Sequence, residues 1–198
     1  QLEPAINSFE KVYNITPSFR AEHSKSDRHL SEYTHLKVEL AWVNLNDLIS
    51  ISEDLVYHIA KTMSVKGKTE IRELDAEIKI EKLKPPYRRI TYNEAVNLLN
   101  KNGFKFEWGK SLNSSGEAFL TKYFGDAPLW VQYIPKNVEG FPFKTHPKDK
   151  RLAIVSDLIA PNGFGEIAGI AEKITDKKEL LRRMKEKGKG TTKQIERY

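Results

Sequence analysis

The chain has no cysteine in its 198 residues. This excludes disulfide bonds and thiolate zinc sites, and it fits a reducing, cytoplasmic setting. Long apolar runs are missing as well. Nothing approaches the ~18 consecutive apolar residues of a membrane span, so no membrane association is expected. The opening Gln1-Leu2-Glu3-Pro4 has neither the basic flank nor the apolar stretch of a secretory signal. Position 1 is not methionine, so further chain is expected ahead of it. His23, His29, His35, His58 and His146 show no ligand spacing such as H-E-x-x-H, which argues against a transition metal held by the protein alone. Magnesium arriving with a nucleotide stays open.

What is present suits one domain. A 198-residue chain that is 39% hydrophobic can bury a real core, with room for a small insertion. A net charge of +6 is compatible with a polyanionic partner such as RNA and equally with a lysine-rich surface.

Two stretches alternate apolar and polar residues with the strand period, Val12-Tyr13-Asn14-Ile15 and Leu36-Lys37-Val38-Glu39-Leu40. They predict a hairpin whose long charged loop overhangs one sheet face. Arg20 and Glu22, one residue apart at the end of a strand, would point to the same side and meet one ligand together. Leu2, Ile6 and Phe9 predict a helix ahead of the hairpin, with Pro4 in its opening turn. Leu48, Ile51, Leu55, Ile59 and Met63 predict a core-facing helix to about Thr62, broken by Gly67. Glu70 to Leu83 is expected to form an amphipathic surface helix. Thr91 is the expected cap of a helix ending at Asn102-Gly103, and Ser114 to Phe124 predicts another with Ala118, Phe119, Leu120 and Tyr123 inward. Leu129 to Pro135 and Arg151 to Ala160 read as buried strands. Asp157 and Glu166 would face each other across adjacent strands, two oxygen donors suited to magnesium. Asp176 is the expected cap of a last, basic helix.

Phe19-Arg20-Ala21-Glu22, a polar loop, Arg28-His29-Leu30-Ser31-Glu32-Tyr33 and a glutamate on the return strand resemble motif 2 of the class II aminoacyl-tRNA synthetases, in the version of the aspartyl and asparaginyl enzymes. The block from Asp157 to Ile167, Asp-Leu-Ile-Ala-Pro-Asn-Gly-Phe-Gly-Glu-Ile, resembles the asparaginyl version. The resemblance implies an α+β fold, a mostly antiparallel sheet flanked by helices. Residues 1–198 would be part of a catalytic domain with a helical insertion at about 64–127. Motif 1, motif 3 and an anticodon-binding domain are not seen and would lie outside this stretch.

By the same resemblance Arg20 would hold the α-phosphate of ATP, Glu22 would accept from the adenine amino group, and Tyr33 would stack on the base. Arg28 and His29 would approach the outer phosphates. Asp157 and Glu166 would hold Mg2+. The family continues with two glycines, a small residue, glutamine and an arginine that binds the substrate side chain, whereas this chain has Gly169-Ile170-Ala171-Glu172-Lys173. Lys173 would therefore stand where that arginine does, Ile170 would crowd space left by a glycine, and Glu172 would be placed to neutralise Lys173. The implied activity is ATP-dependent activation of asparagine and transfer to tRNA by a homodimer. The alternatives are an asparagine synthetase-like paralogue acting on aspartate without tRNA, and a truncated paralogue without catalysis.

Overall fold

The structure is a computed structural model that describes residues 2–21, 30–189 and 193. The chain divides into two compact units, Gln1–Asn44 and Leu45–Tyr198.

In the first unit, helix α1 (Glu3–Phe9) has Pro4 in its opening turn and ends at Glu10, whose φ of 54° lies in the left-handed region. Strands β1 (Lys11–Phe19) and β2 (Glu32–Leu40) pair antiparallel, with Asn14 opposite Lys37, Thr16 opposite His35 and Ser18 opposite Tyr33. Because side chains alternate, the hairpin has two unlike faces. Asn14, Thr16, Ser18, Tyr33, His35 and Lys37 are half-buried on one. Tyr13, Ile15, Phe19, Leu36 and Val38 stand exposed on the other.

The second unit is built on a four-stranded sheet in the order β3 (Arg88–Thr91), β4 (Leu129–Gln132), β5 (Val155–Ala160) and β6 (Gly165–Ala171). β3 and β4 run parallel, and the other two pairings are antiparallel. The sheet is thus mixed. The reason is topological: helices α4 (Tyr92–Lys101) and α5 (Ser114–Tyr123) form a long crossover between β3 and β4, the connection that parallel neighbours require. Helices cover both faces, which explains why β4 reads as the unbroken apolar run Leu129-Trp130-Val131, all fully buried. Helix α2 (Leu45–Lys66) puts Leu45 and Ile49 against Trp130 and Leu158 on one face. Helices α4 and α5 put Leu99 and Leu120 against Val131, Val155 and Ile159 on the other.

The helix starts follow the capping rules. The Thr91 side chain accepts from the Glu94 N–H, and Glu94 accepts in return from the Thr91 N–H, a complete capping box. Asp176 caps α6 (Lys177–Glu186) by accepting from the Glu179 N–H at 2.7 Å. Helix α2 runs one turn past Thr62, to Lys66, and stops at Gly67, where a Cβ would run into the Met63 methyl group.

The surface helix expected from Glu70 to Leu83 is not continuous. Helix α3 covers only Lys68–Glu73, and a 3-10 turn follows at Ile80–Leu83. The Ala76 N–H reaches back to the Ile71 carbonyl, and Asp75, at φ 48°, donates to Arg72, which is the hydrogen-bond pattern of a left-handed helix stop. Leu74 stays 78% exposed, so the apolar spacing finds nothing to pack on and does not override the stop. In α5 the buried residues are Gly116, Glu117, Leu120 and Thr121, and Tyr123, expected to point inward, is exposed.

One buried charge ties α2 to the sheet. Glu53, 3% exposed, accepts from the Trp130 indole N–H at 3.0 Å and the Tyr87 backbone N–H at 3.2 Å, with Arg89 at 3.8 Å. Removing the carboxylate would strand two buried donors. Glu53→Ala is expected to lower unfolding free energy by roughly 3 kcal/mol, read as a shift in urea midpoint at unchanged slope.

Candidate functional site

Each unit brings part of the expected site together. On the hairpin, Arg20 follows β1, its N–H donating to the Ser31 carbonyl at 2.9 Å. This pairing fixes Arg20 beside Tyr33, and its guanidinium lies 5.1 Å from the centre of the Tyr33 ring. An aromatic face next to a guanidinium suits a base joined to an anion. His35 is next along β2 on the same face, its ring centre 5.5 Å from that of Tyr33 and its Nδ1 3.4 Å from the Ser18 hydroxyl. Burial, then the charges of Lys37 and Arg20, push the His35 pKa below its ordinary value. Glu22, Arg28 and His29 lie outside the described residues.

In the second unit, Asp157 of β5 and Glu166 of β6 do converge, and a register shift is what makes them do so. Asp157 pairs with Gly169 and Leu158 with Ala168, but Ile159 pairs with Glu166, so one extra residue sits on β6. Simple alternation would turn Glu166 to the face opposite Gly169. The bulge reverses that. A Cβ built on Gly169 would lie 3.0 Å from Glu166 Oε1 and 3.5 Å from Asp157 Oδ1, so both carboxylates close over the spot that glycine leaves open.

These carboxylates line a cavity of about 120 Å³, together with Tyr92, Glu117, Glu139 and Ile159. Burial, then Glu166, Glu139 and Glu117, raises the Asp157 pKa well above the usual carboxylate range. Burial and Glu166 raise that of Glu139 too. So much negative charge in a partly desolvated space favours a cation. Hard oxygen donors suit magnesium. Among the described residues no three His, Asp or Glu side chains are arranged to hold a metal unaided. The fit is therefore to an ion that brings further ligands with it. Tyr92 is a wall, since its hydroxyl already donates to the Lys110 carbonyl and accepts from the Gly109 N–H.

The block at 170–173 departs from expectation at two residues. Ile170 does not crowd this site. It pairs with Ser156 and packs on the opposite face, in the cluster of Trp130, Leu158 and Ile49 under α2. Nor is Glu172 set against Lys173. Its carboxylate accepts from the Leu45 N–H at 2.9 Å, at the start of α2, and from Lys144 Nζ at 3.1 Å. Lys173, half-buried and bridged to Phe143, keeps the alternation of Gly169 and Ala171 and so shares their face. Ile170→Gly is accordingly expected to cost about 2 kcal/mol of stability, seen as a lower melting temperature, with no gain in activity.

Glu117 and Glu139 were not foreseen as part of this cavity. Glu117 had a readable signal: it stands three residues before Leu120 and four before Thr121, on the helix stripe that turns inward. Glu139 lies in the irregular stretch after Pro135, where no periodicity speaks.

The profile of the family "tRNA synthetases class II (D, K and N)" matches residues 2–198. The chain belongs to this family. The asparagine–tRNA ligase of Pyrococcus abyssi is 39% identical over 188 residues, 94% of this chain and 43% of that protein. The crystal structure of the Pyrococcus horikoshii asparaginyl-tRNA synthetase with asparaginyl-adenylate superposes with a TM-score of 0.92 at 39% identity, covering 100% of this chain and 45% of that one. The Entamoeba histolytica asparaginyl-tRNA synthetase with asparaginyl-adenylate gives 0.82 at 32% identity, covering 94% and 43%. The chain thus spans less than half the length of these synthetases. The α+β fold is that of a class II synthetase. Among the described residues no helix is long and apolar enough to cross a membrane.

Proposed function

We propose that this chain is the middle of a catalytic domain that activates asparagine with ATP and passes the acyl group to tRNA, working as a homodimer in the cytoplasm. The observation that carries the reading is the convergence of Asp157 and Glu166 over Gly169, in a family whose relatives have been solved with asparaginyl-adenylate. Arg20 would hold the α-phosphate, Tyr33 would stack on adenine and Glu22 would accept from its amino group. Arg28 and His29 would meet the outer phosphates, and Lys173 the substrate side chain. Magnesium, when bound by Asp157 and Glu166, would neutralise phosphate charge.

In the reaction a carboxylate oxygen bonds to the α-phosphorus as the bond to the bridging oxygen breaks, and pyrophosphate leaves with that electron pair. The attacking carboxylate is already ionised, so no general base is needed. The chain's part is positioning and charge. Aminoacylation of tRNA by the full-length protein tests the second half-step. Charging with asparagine supports the reading, and adenylate formation without charging rejects the tRNA step.

A further inference from the structure

Positive charge is concentrated in and just beyond α6. The stretch from Lys177 to Lys189 holds seven lysines and arginines against two glutamates, in a chain whose net charge is +6. On α6, Lys178, Arg182 and Lys185 stand at i, i+4 and i+7, which is one helix face, and all three are exposed. Arg182 is held by Glu186 and lies near Glu179. Lys178 and Lys185 make no hydrogen bond or ion pair among the described residues. The apolar side of the helix is turned inward, with Met184 buried and Leu180 and Leu181 half-buried.

That combination selects the partner. A protein interface needs an apolar centre, and a helix lying on lipid needs its apolar side free. Neither is available on α6. A phosphate backbone needs only spaced cations. Lys178 and Lys185 are about 10 Å apart along the axis at ~1.5 Å per residue, the length of about three charges on one strand of a duplex at ~3.4 Å each.

The C-terminal end of α6 says where such a backbone leads. Lys187, just past the helix, donates to the Asn137 carbonyl, and Arg183 donates to the Lys136 carbonyl at 3.3 Å. Glu139, two residues after Asn137, lines the cavity with Asp157 and Glu166 and feels the Lys187 charge. Two residues of chain span ~7 Å at most, so α6 ends beside the cavity wall. We propose that the Lys178–Lys185 face of α6 binds the phosphate backbone of the tRNA acceptor stem and guides its 3′ end toward the cavity. This rests on the tRNA-charging reading given above. Lysines suit the contact, being point charges that hold a backbone without reading its sequence.

The test uses the full-length protein with Lys178→Gln and Lys185→Gln together, and with Lys178→Arg and Lys185→Arg together. In equilibrium binding to a tRNA transcript, the glutamine pair is expected to weaken affinity at least tenfold and to lower the slope of log affinity against log salt by about 2. The arginine pair should stay within threefold of wild type. ATP–pyrophosphate exchange without tRNA should stay within twofold in both. A tenfold loss of exchange in the glutamine pair would make the effect structural and overturn the proposal. Hydroxyl-radical protection of the acceptor stem by wild type should be lost with the glutamine pair. Unchanged affinity and slope, or protection lost only in the anticodon stem, overturns it. Binding is read without charging, so a protein that holds tRNA through these lysines but does not aminoacylate it supports the surface and rejects only the charging reading. No tRNA binding by wild type overturns both.

Discussion

Asp157→Asn is expected to lower ATP–pyrophosphate exchange by about 10²- to 10³-fold while leaving the protein as stable as wild type, or more stable by about 0.5–2 kcal/mol. The two effects have one origin. Asp157 is pressed by burial and by Glu166, Glu139 and Glu117 toward its neutral form, so its charge opposes the folded state. Asparagine keeps the shape and removes the charge. A residue placed for stability would behave in the opposite way, since its replacement would lower the melting temperature. If magnesium is the cation that relieves this crowding, Asp157→Asn also loses the dependence of melting temperature on added magnesium and ATP that the wild-type protein should show. A variant with lowered melting temperature and intact exchange would remove Asp157 from the site.

Arg20→Ala is expected to weaken ATP binding by about 1.5–3 kcal/mol, roughly 10- to 150-fold, with little change in stability. Arg20 is exposed, and its backbone bond to Ser31 does not need the side chain. What the substitution removes is a guanidinium beside the Tyr33 ring, and with it a planar pair of donors for phosphate oxygens. Arg20→Lys should recover only part of the affinity, because a single ammonium cannot make the forked contact. Equilibrium titration with ATP checks both. Unchanged affinity in Arg20→Ala would take the hairpin out of nucleotide binding.

The hairpin was legible because strand alternation and the run from Phe19 to Tyr33 agree, and the pairing of Ser18 with Tyr33 follows from that register. Asp157 and Glu166 were legible as a pair. The bulge that turns Glu166 toward Asp157 was not, since it arises from how β6 pairs with β5 rather than from residues in β6. Ile170 shows the same limit. Its replacement of a glycine reads as an obstruction, but which face it occupies depends on that register, and it faces α2. The parallel pairing of β3 and β4 is likewise a property of a crossover spanning two helices. Glu53 reads as one more charge on a helix, and its buried partners, the Tyr87 N–H and the Trp130 indole, are both distant in sequence.

Acid-dependent ATP–pyrophosphate exchange by the full-length protein, with asparagine and aspartate tested separately, addresses the central claim most directly. The account predicts exchange that requires magnesium and is driven by asparagine. Exchange with neither acid in a folded protein would contradict activation outright, and exchange with aspartate alone would contradict the asparagine assignment.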